Sequence, residues 1–89
     1  MKYRVVFEKK AEKSLKKIDH SHKKIILSWI KNNLVNCEEP RLHGKALTGN
    51  KKGYWRYRVG AYRFIARIDD DKLIIIMVNI SHRKNVYDS

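Results

Sequence analysis

The stretch Tyr54 to Arg67, YWRYRVGAYRFIAR, decides the fold of this chain. Apolar and basic residues alternate along both of its halves, and Gly60-Ala61 separates the two. Because strand side chains point alternately to opposite faces, this pattern predicts two short strands joined by a tight turn. One face is expected to be apolar: Trp55, Tyr57, Val59, Tyr62, Phe64, Ala66 and Ile68. The other face is expected to carry guanidinium groups: Arg56, Arg58, Arg63 and Arg67.

A two-residue turn would place two arginines directly opposite each other. With Gly60-Ala61 as the turn, Val59 pairs with Tyr62, and Arg58 pairs with Arg63. Like charges that face each other across a ladder destabilise it. The pairing therefore suggests that an anion binds at this point.

The composition predicts one domain, residues 1–89, with a polyanionic partner. Lys and Arg number 21 against 9 Asp and Glu, so the net charge is +12. RNA or DNA is favoured over a membrane, because the chain has no long hydrophobic span. The alternative is that the N-terminal lysines simply solvate helix surfaces.

Cysteine and N-terminal patterns point to an ordinary cytoplasmic protein. Cys37 is the single cysteine, so no disulfide forms within the chain, and a half-buried thiol after a helix is expected. No residues have metal-ligand spacing, and neither metal nor cofactor is expected. The N-terminal apolar run is too short for a signal peptide, which makes cytoplasmic localisation the expectation.

The remaining segments predict two helices and two further strands. Helical periodicity covers Glu8 to Ile18 and His22 to Asn36, and Pro40 follows the second helix. We expect strands at Lys2–Phe7 and Leu73–Ile80, a loop at Arg41–Gly53 and a polar tail at Ser81–Ser89.

The order of these elements predicts an α+β fold. Two N-terminal helices would pack on one face of a mostly antiparallel four-stranded sheet, in the order β-α-α-β-β-β. Two helices cover only one face. The other face would then show the arginines beside an apolar strip of Ile74, Ile76 and Val78, provided that the strand register holds.

The candidate chemistry is that of permanent cations. No serine, metal or paired-carboxylate hydrolase motif is present. What remains is four arginines together with two groups able to move protons: Arg56, Arg58, Arg63 and Arg83, with His82 and Tyr87. Such a set suits RNA cleavage by attack of a 2′-hydroxyl on its neighbouring phosphodiester, because arginine forks stabilise the crowded phosphate charge.

Each of these residues also has an ordinary structural interpretation. Arg63 or Arg67 would serve in a surface ion pair with Asp69 or a helix glutamate. His82 would be a polar residue at a strand end, and Tyr87 would anchor the tail.

Two motifs then identify a family resemblance. The run GYWRYRVGAYRFIARIDD, followed by HRKNVY, resembles the RelE/StbE branch of the RelE/ParE toxin superfamily, and the likeness extends over nearly the whole chain. It implies a toxin of a type II toxin–antitoxin system with a RelE-like fold, neutralised by an acidic RelB-like antitoxin in a hetero-oligomer. It also implies a ribosome-dependent, metal-independent nuclease that cuts mRNA in the A site.

The resemblance assigns roles to individual residues. Arg63 matches the arginine that stabilises the transition state, Arg83 the proposed general acid, and Tyr87 the tyrosine that stacks on the substrate base and assists proton removal. Arg56 and Arg58 stand where RelE has two lysines. An arginine clamps phosphate but does not act as a base, so proton removal would fall to His82 or Tyr87.

Two other functions remain open at this point. A ParE-like toxin would inhibit DNA gyrase by binding, without nuclease chemistry, and similar folds host both activities. An RNA-binding module without activity would be explained by charge alone.

Overall fold

The computed structural model describes residues 2–49 and 53–82, and these form two helices against one face of a sheet. This arrangement confirms the predicted α+β fold class, with two helices on one face of a mostly antiparallel sheet. The elements run β1 Arg4–Phe7, α1 Lys9–Lys16, α2 His20–Asn33, a 3₁₀ turn Pro40–His43, β2 Gly44–Ala46, β3 Tyr54–Val59, β4 Tyr62–Asp69 and β5 Ile74–His82.

The sheet has five strands where four were predicted. Their order is β1-β5-β4-β3-β2, with β1 parallel to β5 and the other pairs antiparallel. The additional strand is β2, which lies inside the segment predicted as a loop, Arg41–Gly53. Three residues are too few to show an alternating pattern, so this strand depends on its pairing with β3.

The last strand occupies the middle of the sheet beside the first. Backbone N–H groups of Arg4 and Glu8 donate to the carbonyls of Leu73 and Met77, each at 2.9 Å. β5 therefore has β1 on one side and β4 on the other, as its continuous apolar run predicted.

The core lies between the helices and the apolar face of the β3–β4 hairpin. Tyr57, Phe64 and Ala66 are fully buried there, which confirms the face predicted from the alternation. Trp29 of α2 packs over them, with its ring centroid 6.0 Å from that of Tyr57 and 6.5 Å from that of Phe64. Further helix residues complete the core: Ala11, Ile26, Ile30 and Leu34.

A bulge changes the facing of β5 near its end. Ile65 pairs with Asn79 but Ala66 pairs with Met77, so one residue of β5, Val78, lies between the two pairs. The bulge turns Ile80 into the core, where it is 5% exposed. Ile74 and Ile76, which precede the bulge, keep the predicted position on the arginine side of the sheet.

Two polar contacts fasten the 3₁₀ turn and hence β2. The buried Tyr57 hydroxyl donates to the Pro40 carbonyl at 2.7 Å, and burial raises the pKa of this phenol. Asp70 accepts hydrogen bonds from both Arg41 Nη atoms at 3.0 Å and from the Tyr3 hydroxyl at 2.6 Å. The Arg41 contact and then the Tyr3 contact lower the pKa of the Asp70 carboxyl.

The described helices are short, and Cys37 follows the second. α2 begins two residues earlier than predicted and ends at Asn33, since Asn36 has a left-handed φ of 63°.

Cys37 is half-buried, as expected, and burial raises the pKa of its thiol. No helix within residues 2–49 and 53–82 has both the length and the apolar character needed to span a membrane.

Candidate anion-binding site

Three arginines lie on the sheet face that the helices leave uncovered. The pairs Arg58–Arg63 and Val59–Tyr62 confirm the predicted register of the hairpin. Gly60 adopts a left-handed φ of 57°, which a tight two-residue turn requires. Arg56 precedes Arg58 by two residues and therefore shares its face.

A second like-charge pair extends this basic surface. Lys45 of β2 pairs with Arg56, just as Arg58 pairs with Arg63 on the other side of β3. Side chains directly opposite each other have Cβ atoms about 4.5–5.5 Å apart, and like charges at that distance repel. Among the described residues, no carboxylate forms an ion pair with Lys45, Arg56 or Arg58. The surface is therefore suited to an anion that supplies the missing counter-charge.

A groove lies along this surface where the 3₁₀ turn meets β3. Its volume is about 350 Å³. It is lined by Leu42, His43, Gly44, Lys45, Arg56 and Arg58. Three of these residues, Leu42, His43 and Lys45, were missed in the sequence because they fall in the segment that was predicted as a loop.

Gly44 permits the close approach of β2 to β3. A Cβ at this position would lie 2.3 Å from the Arg56 carbonyl oxygen and 2.7 Å from two atoms of the Trp55 indole. Glycine is thus needed at this point for the strands to pair, and the pairing sets the position of Lys45.

His82 lies on the opposite face of the sheet from the arginines. It belongs to β5 and pairs with Tyr62, whereas Arg63 pairs with Ser81. The rings of Tyr62 and His82 are nearly perpendicular, with centroids 5.0 Å apart, and His22 Nδ1 lies 3.2 Å from the Tyr62 hydroxyl. The structure thus brings together Arg56, Arg58 and Arg63 but places His82 in a separate aromatic cluster.

Two predicted catalytic residues, Arg83 and Tyr87, lie outside the described residues, and their roles stay predictions. Arg67 lies on the arginine face but its Nη2 is 3.8 Å from Glu8 Oε2. That contact agrees with the ordinary interpretation of Arg67 as a surface charge paired with a glutamate.

The chemistry available at this surface is charge stabilisation. In residues 2–49 and 53–82, no group of three or more His, Cys, Asp or Glu is placed to hold a metal ion. Arginine guanidinium groups remain charged at any physiological pH and bind two phosphate oxygens at once. They would stabilise a phosphate whose negative charge increases during a reaction.

Comparison with known proteins connects this geometry to a family. A family model described as "ParE toxin of type II toxin-antitoxin system, parDE" matches residues 5–87. Toxin RelG of Mycobacterium tuberculosis is 29% identical over 87 residues, which make up 98% of each chain.

Solved structures show the same architecture. The toxin–antitoxin complex RelBE2 of M. tuberculosis contains a chain that superposes with a TM-score of 0.84 at 28% identity, over 93% of this chain and 100% of that one. A chain of the archaeal RelE–RelB complex from Pyrococcus horikoshii has a TM-score of 0.69 at 25% identity, over 93% and 97% of the two chains. The intact RelBE complex of Escherichia coli, at 18% identity and a TM-score of 0.73 over 90% and 95% of the chains, shares the fold.

Proposed function

The chain belongs to the ParE toxin family of type II toxin–antitoxin systems, within its RelE-like branch, and we propose that it is a ribosome-dependent mRNA endonuclease. The substrate is mRNA in the ribosomal A site. The reaction is attack of a ribose 2′-oxygen on the adjacent phosphorus, which breaks the bond to the 5′-oxygen and leaves a cyclic phosphate. This transesterification requires no metal.

The observation that carries the proposal is the Arg58–Arg63 pair on an uncovered face. Two guanidinium groups side by side match a phosphate on which negative charge accumulates as the fifth oxygen approaches phosphorus. Such preorganised charge stabilises the transition state more than the ground state, which is the requirement for catalysis. Arg63 is assigned this role, and Arg58 and Arg56 bind phosphates of the RNA backbone.

Proton transfer is assigned to the C-terminal residues. Arginine does not lose its proton at neutral pH, so neither Arg56 nor Arg58 removes the proton from the 2′-hydroxyl. His82 faces the helix side of the sheet, which makes it the weaker candidate in this conformation. We therefore assign proton removal and base stacking to Tyr87. Protonation of the leaving 5′-oxygen is assigned to Arg83, because an alkoxide is basic enough to take a proton from a guanidinium, which then regains it from water.

The partner that neutralises the toxin is proposed to be an acidic, RelB-like antitoxin. Several structural relatives were solved as RelB–RelE complexes. The arginine face offers positive charge next to apolar side chains of β1 and β5, including Val6, which is 37% exposed, and its pairing neighbour Ile76. An acidic segment with apolar anchors fits this combination. Co-expression with the product of the neighbouring small open reading frame should abolish toxicity, and unchanged toxicity would contradict the assignment.

Primer extension on an mRNA translated in vitro tests the nuclease proposal. Purified wild-type protein should produce cuts at codon boundaries, only when ribosomes are present. Arg63→Ala and Arg83→Ala should each remove these cuts. Arg67→Ala is the matched control, because Arg67 shares the face but is placed beside Glu8. Cuts that persist in Arg63→Ala would refute the assigned chemistry.

The ParE name of the matching family model makes DNA gyrase inhibition the second candidate. In that case mRNA would stay intact in the translation assay. Plasmid DNA incubated with gyrase and the protein would instead accumulate double-strand breaks.

A further inference from the structure

We propose that Lys45 and Arg56 form a second phosphate subsite, which holds the RNA phosphate adjacent to the one bound by Arg58 and Arg63. The identity of the ligand as RNA rests on the proposed function. The location of the subsite rests on the groove beside β2 and on the pairing of β2 with β3.

The like-charge pair occurs twice on the arginine face. Lys45 stands opposite Arg56 on one ladder, and Arg58 stands opposite Arg63 on the next. Each pair brings two like charges together on the same face, and among the described residues no carboxylate forms an ion pair with Lys45 or Arg56. Lys45 is exposed, so its ammonium group is accessible to a ligand.

The distance between the two charge pairs also supports the subsite. Arg56 and Arg58 are two residues apart on β3, so the two charge pairs are offset by about 6.6–6.8 Å along the strand and by about one strand spacing, 4.7–4.9 Å, across the sheet. Successive phosphates of an extended RNA strand have a comparable separation. One phosphate per charge pair therefore fits an RNA strand that runs diagonally over β4, β3 and β2.

The wall of the groove beside Lys45 and Arg56 is apolar. Leu42 is 75% exposed, the most exposed of the large hydrophobic residues in the described part of the chain, and it lies in the groove with His43. An apolar side chain next to two cations matches a nucleotide, which offers a base or sugar face beside its phosphate. The 3₁₀ turn that carries Leu42 is held by the buried Tyr57–Pro40 hydrogen bond, so the wall is fixed in place.

The test uses equilibrium binding rather than cleavage. The probe is a short 2′-O-methyl oligonucleotide, which lacks the attacking hydroxyl and is not cut. Its affinity for the full chain is measured over a range of salt concentrations. Loss of one phosphate contact should reduce the slope of log K against log salt by about 0.7 for a single strand. Lys45→Gln should show this reduction, and Lys45→Arg should restore the wild-type slope.

Lys31→Gln is the matched control. Lys31 is an exposed lysine of α2, on the other side of the sheet, and its loss removes the same charge. Its slope should equal that of the wild type. An unchanged slope in Lys45→Gln, an equal reduction in Lys31→Gln, or no oligonucleotide binding by the wild type at low salt would each overturn the subsite.

The subsite and the proposed function fail separately. Wild-type protein that binds the oligonucleotide through Lys45 but never cuts ribosome-bound mRNA would refute the nuclease and leave the subsite standing. If the wild type cut ribosome-bound mRNA but Lys45→Gln left the salt slope of oligonucleotide binding unchanged, the subsite would be refuted and the nuclease proposal would stand. If Lys45→Gln weakened only the binding of an acidic antitoxin peptide, the groove would belong to the protein partner and the subsite would be refuted.

Discussion

Replacing Gly44 by alanine should separate β2 from β3 and move Lys45. The added Cβ would lie 2.3 Å from the Arg56 carbonyl oxygen, and ordinary contact begins about 1 Å farther out. β3 is fixed, because Tyr57 is buried in the core and β4 pairs along its whole length. β2 has only three paired residues, so we expect it to be the strand that moves.

The expected loss in the free energy of unfolding follows from the contacts that this movement of β2 breaks. Overpacking of this kind typically lowers the free energy of unfolding by about 1–3 kcal/mol. Losing one or two ladder hydrogen bonds accounts for a similar amount, at about 0.5–1.5 kcal/mol each. We therefore expect Gly44→Ala to be destabilised by about 1–3 kcal/mol but still folded. Its binding of the 2′-O-methyl oligonucleotide should fall as it does in Lys45→Gln.

Urea denaturation followed by far-UV circular dichroism measures the stability, and the oligonucleotide assay measures the position of Lys45. Gly60→Ala is the control, because its φ of 57° strains an alanine while no atom lies within 4 Å of the added Cβ. That variant should lose about 1–2 kcal/mol without weakening oligonucleotide binding at Lys45. If Gly44→Ala were as stable as the wild type and bound the oligonucleotide equally well, glycine would not be needed for the close approach of β2 to β3.

Three further substitutions test other contacts. Tyr57→Phe leaves the buried Pro40 carbonyl without its donor and should cost about 1–3 kcal/mol in urea denaturation; unchanged stability would mean that this contact does not hold the turn. Arg58→Ala should reduce cleavage in the translation assay at least tenfold. Its free energy of unfolding should be unchanged or up to about 1 kcal/mol higher, because the substitution removes the repulsion with Arg63. A large loss of stability would contradict this expectation. Asp70→Asn should lower stability at pH 7 by at most about 1 kcal/mol, since the carboxylate is half exposed. Folding lowers the pKa of Asp70. The carboxylate therefore contributes its full share to the free energy of unfolding above its unfolded-state pKa of about 3.9, and this share is lost as the pH falls through the pKa of the folded state. The melting temperatures of the wild type and Asp70→Asn should therefore converge as the pH is lowered from 7 to 2. A difference that stayed constant over this range would show that the Asp70 carboxylate is not what stabilises the wild type.

The sequence predicted most reliably those features that are encoded locally. The alternation in Tyr54 to Arg67 and the Gly60-Ala61 turn determine the hairpin register, and with it the Arg58–Arg63 pair. The buried face followed from the same pattern. Because this hairpin carries three of the candidate arginines, the centre of the candidate site was also predictable.

Features that depend on long-range pairing were not predictable. β2 is three residues long and is defined only by its contact with β3, so Lys45 had no local signal as a site residue. The bulge at Val78 arises between β4 and β5 and reverses the facing of Ile80. The same bulge places His82 on the helix side of the sheet, because His82 follows Ile80 by two residues on one strand.

The strand order has a consequence for the timing of folding during synthesis. Among the described strands, β5 comes last in the chain, and it lies between β1, which comes first, and β4. Until residues 74–82 leave the ribosome, β1 has no neighbour in the sheet and β4 has an unpaired edge, so the nascent chain lacks a complete sheet. The sheet, and with it the surface proposed to bind RNA, is therefore complete only when β5 takes its place between β1 and β4.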